Sequence, residues 1–341
     1  MNHLLNIDDL LPTIAPKTWQ QQLVEAFDNI QDLCQFLHLS IKDLPFSADA
    51  QHHFAFKVPL SFAERMEKGN PYDPLLLQIL PVHAELSVFP GFQDDPVGDL
   101  AAAKQVGVLH KYHGRVLLIN TGTCAIHCRY CFRRNFPYQD LQLSKSQEQA
   151  ALDYIHHHAI EEVILSGGDP LVLNDTRLAQ LFTNLEKITS VKRIRIHSRL
   201  PIVLPDRISP ELLSLFAASS KKIVLVLHCN HANELSHEIF LLCQRLQNIG
   251  VTLLNQSVLL KAVNDHVDRL CHLSERLFAV GIMPYYLHLL DRATGTAHFE
   301  VSKLDALAIY SQLQIRLPGY LVPKLVTEQP GELSKQLVFN L

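Results

Sequence analysis

The chain has 341 residues, 48% of them hydrophobic, and a formal net charge of -4 from 30 Lys+Arg against 34 Asp+Glu. That much apolar material supports a large core and excludes a disordered chain, and without a long basic run there is no nucleic-acid surface to expect. The seven cysteines, at 34, 124, 128, 131, 229, 243 and 271, are unevenly scattered and do not read as a disulfide framework, which suits a reducing compartment. Asp8 and Asp9 stand near the start with no basic region leading into an apolar core, so a signal peptide is not expected. No stretch approaches about 18 uninterrupted apolar residues. A cytoplasmic protein with no membrane span follows as the expectation.

Residues 1–105 read as a helical, loop-rich N-terminal arm. Trp19, Leu23, Ala26, Ile30, Leu33 and Leu37 fall roughly on one face and predict a helix over 18–37. Pro59 and Ser61 open a second helix carrying Phe62 and Met66, and Gly69-Asn70-Pro71 stops it. Prolines at 71, 74, 81, 90 and 96 then punctuate the chain, which predicts an arm wrapped round a larger body. None of its polar residues stands out for chemistry.

Over 106–317 the rhythm changes. Short apolar runs at 115–120 (RVLLIN), 162–165 (EVIL), 194–197, 223–227 (IVLVL), 251–254 and 282–287 predict strands, continuous in the manner of strands buried on both faces. Helices are predicted between and after them, at 146–159, 175–188, from Ser209-Pro210 onward, at 233–248, 265–280 and 302–316; Ser209 and Ser302 are N-caps, the first followed by proline and the second by Asp305 three residues on. Each strand ends in a polar cluster, among them Ser166-Gly167-Gly168-Asp169, His197-Ser198-Arg199, His228-Cys229-Asn230-His231, Asn255-Gln256 and His288. α/β barrels gather their active sites at that end of the strands. Six β–α units are too few to close an eight-stranded barrel. The fold class predicted is α/β, an open (βα)6 partial TIM barrel with its gap covered by the N-terminal arm and by a C-terminal segment, 318–341. A doubly wound sheet is the competitor, but its sites collect at one reversal of strand order.

The densest chemistry is CAIHCRYC at 124–131, in which Cys124, Cys128 and Cys131 are spaced C-x3-C-x2-C. Soft thiolates this close suit a soft metal centre. Three ligands hold three corners of a [4Fe–4S] cube and leave one iron open, whereas structural zinc wants a fourth ligand and a ferredoxin cube has four cysteines. Inert thiols, or zinc held by two cysteines with His127, remain open on the residues alone. SGGDP at 166–170 offers two glycines for close backbone approach to a ligand, or simply a tight turn.

With Tyr130 just before the last cysteine, the triad resembles the signature of radical S-adenosylmethionine (SAM) enzymes, whose open iron chelates the amino and carboxylate groups of SAM. CFRR at 131–134, SGGDP, HCNHANE at 228–234, LLNQSVLLKAVND, LLDRATGTAHF and GYLVPKLVTEQPGELSK follow in an order that, from about 50 to 335, resembles the lysine 2,3-aminomutases within that group, most closely the EpmB subgroup. The resemblance implies three cofactors: a [4Fe–4S] cluster on Cys124, Cys128 and Cys131, SAM, and pyridoxal 5′-phosphate (PLP) bonded to Lys335. It implies that Arg133 takes the substrate α-carboxylate and that Asp291 with Glu328 takes its ε-ammonium. Arg115, Asn255 and Gln256 would hold the PLP phosphate and ring, Ser166, Gly167, Gly168 and Asp169 the amino group of SAM, and His228 would line the SAM cavity. Two departures stand out: Glu328 replaces an aspartate, and Pro330 to Ser334 replace a glycine run. No cysteine follows Cys271 and His266 takes the place of a zinc cysteine, so no structural zinc is expected.

The activity so implied is an L-lysine 2,3-aminomutase, turning (S)-α-lysine into (R)-β-lysine with a 5′-deoxyadenosyl radical. The β-lysine would go to the ligase that modifies elongation factor P, making that ligase and elongation factor P the functional partners beside an electron donor for the cluster. A homo-oligomer stays open. Alternatives are an aminomutase for another amino acid such as glutamate, a radical SAM enzyme without PLP, and a zinc scaffold.

Overall fold

Ten strands lie side by side in the order in which the chain makes them in the computed structural model, which describes residues 17–339. β1 (Ala103–Gln105) and β2 (Val108–Tyr112) form an antiparallel lead-in to β3 (Arg115–Thr121). From β3 the sheet is parallel through β4 (Glu162–Gly167), β5 (Arg193–Ser198), β6 (Lys222–His228), β7 (Thr252–Val258), β8 (Met283–His288) and β9 (Lys324–Thr327). β10 (Gln336–Leu337) turns back against β9.

The strand order never reverses. Crossovers of one hand then place the helices on one side of the sheet, and the sheet curls round the other. A doubly wound sheet requires a reversal, so the architecture is the partial barrel. It is open, because β1 and β10 are the two ends of the strand order. The six predicted strands are all present; the seventh parallel strand, β9, comes from the C-terminal segment, which therefore extends the sheet.

Alternation along the strands separates two faces. In β5 the buried Ile194 and Ile196 join the apolar core, while Arg193, Arg195 and His197 point the other way, into the lumen. Register carries this across the sheet: Arg115 pairs with Glu162 and Glu162 with Arg193 at the entry end, and His228 pairs with Gln256 and Gln256 with Tyr286 near the exit end.

In the arm, the single helix expected over 18–37 is two, Trp19–Val24 and Ile30–Leu37. Phe27 between them bridges to Val58, and the Asn29 side chain accepts from the Asp32 N–H at 2.9 Å to restart the helix. The arm is tied to the cysteine loop through Arg129. This fully buried guanidinium donates to both Glu85 carboxylate oxygens at 2.9 and 2.6 Å and to the carbonyls of Phe54 and Ala50 at 2.6 and 2.9 Å. Arg134 adds a bond to Glu85 at 2.7 Å. Changing Arg129 to Met should cost about 3 kcal/mol, since it leaves a buried carboxylate with half its partners. A fall in the urea midpoint at unchanged slope would register it. Further along, Gln93 bridges to Ala293, and a Cβ on Gly98 would sit 3.0 Å from Pro330. The arm thus meets both the loop after β8 and the C-terminal segment over the exit end of the strands.

Candidate active site

The cysteine loop leaves the end of β3 and folds back on itself, with Cys124, Cys128 and Cys131 all free and partly exposed. Burial pushes the Cys124 thiol well up, and the charge of Asp169 and the other two cysteines adds to it. Burial and Cys128 push the Cys131 thiol up to about 11. Among the described residues no three Cys, His, Asp or Glu side chains are gathered to grip one metal ion. A cube asks for something else: three thiolates on three different irons ring the cluster without converging on a point. Three soft donors on one short loop, with Cys128 close enough to raise the other two thiols, fit that group. His127 is tied to the arm instead, its Nδ1 paired with the Ala55 carbonyl at 2.9 Å and its backbone N–H donating to Lys57 O at 3.1 Å.

The glycines of 166–170 serve this loop directly. The Gly168 N–H donates to Thr121 O at 2.6 Å and the Asp169 N–H to Thr123 O at 2.9 Å. A Cβ would lie 2.6 Å from Thr121 O at Gly167, whose φ is +112°, and 2.5 Å from Thr123 O at Gly168. The close approach seen at these glycines is to the backbone at the end of β3 and the start of the cysteine loop. Asp169 is likewise turned inward. Its carboxylate accepts from Ser198 Oγ at 2.7 Å and from the N–H groups of Arg199 and Leu200 at 2.8 and 2.9 Å, tying the ends of β4 and β5 together. Ser166 faces the lumen, 3.4 Å from Arg133 Nη1.

Across the exit end runs a chain of alternating charges. Arg133 Nε meets Asp99 at 2.7 Å, Lys111 meets Asp99 at 2.6 Å and Glu328 at 2.9 Å, and Lys335 pairs with the other Glu328 oxygen. Burial alone would raise the Glu328 carboxyl, but Lys335 and Lys111 outweigh it and hold it well below the carboxylate range. Three of the residues singled out from sequence, Arg133, Glu328 and Lys335, are therefore brought together. Asp99 and Lys111, which link them, were missed, and no local signal marks them: one lies in the arm and the other in a five-residue strand.

Asp291 joins Glu328 in the wall of a cavity of about 610 Å³ between the loop after β8 and the C-terminal segment. Burial pushes the Asp291 carboxyl up to about 7, opposed by Lys335 and reinforced by Glu328 and Asp99. A cationic side chain entering this recess would draw that proton off. Below about pH 7, binding of such a ligand should release a proton and weaken as the pH falls; above it, neither effect should appear. Titration calorimetry in buffers of differing ionisation enthalpy reads the proton directly, and Asp291→Asn should remove it. For folding the sign runs against high pH: the native carboxyl holds its proton to about 7 while the unfolded one loses it near 3.8, so stability from this group declines across that interval.

Lower in the lumen Arg115 begins β3 and lies over the Tyr112 ring at 4.9 Å, while Gln256 pairs with Tyr286 nearer the exit end. His197 faces the same space, and its Nε2 is buried without a hydrogen-bond partner, as expected where a polar ligand belongs. Asn255 is a correction. It sits behind the sheet, where both hydrogens of its amide nitrogen go to Cys229 O and Ser257 Oγ at 3.0 and 2.9 Å and its oxygen accepts from the Cys229 N–H at 2.9 Å. Strand alternation places Gln256, its neighbour, in the lumen instead. His228 lies 3.2 Å from Tyr130 Oη, and burial followed by Arg199 pushes its pKa down to about 3.

The sequence that builds this site matches known proteins. Residues 113–199 match a family model described as a 4Fe-4S single cluster domain. The chain is 46% identical to an L-lysine 2,3-aminomutase of Escherichia coli (strain K12), over 98% of this chain and 97% of that protein. It is 46% identical to one of Haemophilus influenzae, over 94% and 95%, and 43% identical to one of Buchnera aphidicola subsp. Baizongia pistaciae, over 93% and 94%. No helix among the described residues is long and apolar enough to cross a membrane.

Proposed function

We infer the detailed function from one premise, that the chain belongs to the lysine 2,3-aminomutase family of radical SAM enzymes. It is an isomerase that moves an amino group within lysine, and its cofactors are those of the family: a [4Fe–4S] cluster, SAM and PLP. We propose that it converts (S)-α-lysine to (R)-β-lysine. The observation that carries this reading is the cavity in which Asp291 and Glu328 stand together, linked to Arg133 by alternating ion pairs. An amino acid with a carboxylate at one end and an ammonium at the other meets complementary charge at both.

Bound in this site, the cluster and SAM supply the radical that takes hydrogen from carbon 3, and PLP carries the migrating nitrogen. Cys124, Cys128 and Cys131 would hold the cluster, Ser166 and the Gly167-Gly168 backbone with His228 would meet SAM, and Arg115 and Gln256 would hold PLP beside Lys335. Arg133 keeps its Nη2 edge for the substrate carboxylate while Asp99 fixes its Nε. Lys111 holds one oxygen of Glu328 in place. The other oxygen is paired with Lys335 and would be free to meet the substrate ammonium with that lysine engaged in holding PLP. The arm at 93–99 and the C-terminal segment close over the site and keep water from it.

We propose further that the β-lysine feeds the ligase that modifies elongation factor P, in the cytoplasm, with a one-electron donor protein serving the cluster. The test is anaerobic: reconstituted protein with dithionite, SAM, PLP and carbon-13 lysine should give β-lysine, and the same mixture with glutamate should give no product. β-Glutamate instead would overturn the substrate assignment. Adding the ligase and elongation factor P should then transfer the labelled product.

A further inference from the structure

Arg199, at the exit end of β5, is buried and takes no part in the reaction described above. Its Nη1 donates to Cys128 Sγ at 2.7 Å and also to Tyr130 Oη. Its Nη2 donates to Gln78 Oε1 at 2.8 Å and to Glu234 Oε2 at 3.1 Å. Phe62 and Tyr130 lie against the guanidinium at 5.3 and 5.6 Å. Glu234 is itself fully buried and fixed by the backbone N–H groups of Asn230 and His231, at 3.0 and 3.1 Å. The cation is thus held by residues from the arm, the cysteine loop and the loop after β6, and it has no freedom to swing away.

We propose that Arg199 is a positioning residue that raises the reduction potential of the cluster by holding a fixed cation and an N–H against the sulfur of Cys128. The inference rests on the cluster being held by Cys124, Cys128 and Cys131. Reduction adds one electron from a one-electron donor to the oxidised cube, breaks no bond and moves no proton. The reduced cube carries one more negative charge, so a cation and a hydrogen bond at a ligand sulfur favour it. Arg199 and Glu234 are buried, so that preference is little screened. Glu234 works in the opposite sense: as the counter-charge of Arg199 it tempers the effect. The two residues therefore make predictions of opposite sign, which a merely structural network does not.

Potentiometric titration with dithionite, read by spin quantification of the reduced cluster without lysine, tests this apart from turnover. At the wild-type midpoint, Arg199→Gln should lower the ratio of reduced to oxidised cluster at least tenfold, a shift of 59 mV to more negative potential for one electron. Arg199→Lys, which keeps the charge and loses the fork, should shift it less in the same direction. Glu234→Gln should shift it to more positive potential. Iron and sulfide content at the wild-type level qualifies each variant; if Arg199→Gln does not assemble a cluster, the other two decide. Unmoved midpoints, or Arg199 and Glu234 variants shifting the same way, overturn the inference while leaving the aminomutase reading intact. A wild-type protein that assembles no four-iron cluster overturns both.

Discussion

Replacing Lys335 with alanine should reduce β-lysine formation by on the order of 10⁴-fold or more, with iron content unchanged. Lys335 is the last cation in the chain of charges and sits where PLP would bond, between Glu328 and the lumen. Borohydride should fix one PLP per wild-type chain, on Lys335, and none on the variant. Lys335→Arg separates charge from bonding, because it keeps a cation for Glu328 yet offers no amine. It should fail as completely as alanine. Neither variant should unfold, since Lys111 still neutralises Glu328 from 2.9 Å. Retained activity in Lys335→Arg would remove PLP bonding from the reaction and favour a radical SAM enzyme that works without it.

The second large effect is expected at Cys128. On the proposed ligand set, alanine there would take away one corner of the cube together with the sulfur that Arg199 contacts, so SAM cleavage should fall below detection and iron content should drop. Cys243→Ala is the matched control. That thiol is fully buried in the helix His237–Asn248, and its loss should cost about 1 kcal/mol of stability and no iron. Equal iron in the two variants would remove Cys128 from the ligand set.

Much of this was legible in the sequence, for a physical reason. Parallel strands buried on both faces must be nearly all apolar, and runs such as IVLVL at 223–227 announce themselves, as does a cysteine triad after one of them. β9 gave no such signal: it is four residues long, begins at a lysine and follows a proline. Its place in the sheet depends on pairing with β8, which is tertiary. The arm helix was misread because apolar spacing continues through Phe27, whose side chain the periodicity assigns to a helix but whose backbone pairs with Val58. Asn255 and Gln256 are adjacent, and a motif cannot say which one a strand turns inward. The register does. Asp99 and Lys111 show the same limit from the other side, since their role exists only once the arm lies across the barrel.

The strand order has a further consequence, in time. Each parallel strand pairs with the one made just before it, so the barrel can assemble in step with synthesis. The bonds around Arg199 are different: Gln78 waits 121 residues for Arg199 and 156 for Glu234. Until residue 234 has emerged and docked, the cysteine loop lacks its buried backing, so the segment that is made early acquires its final surroundings late.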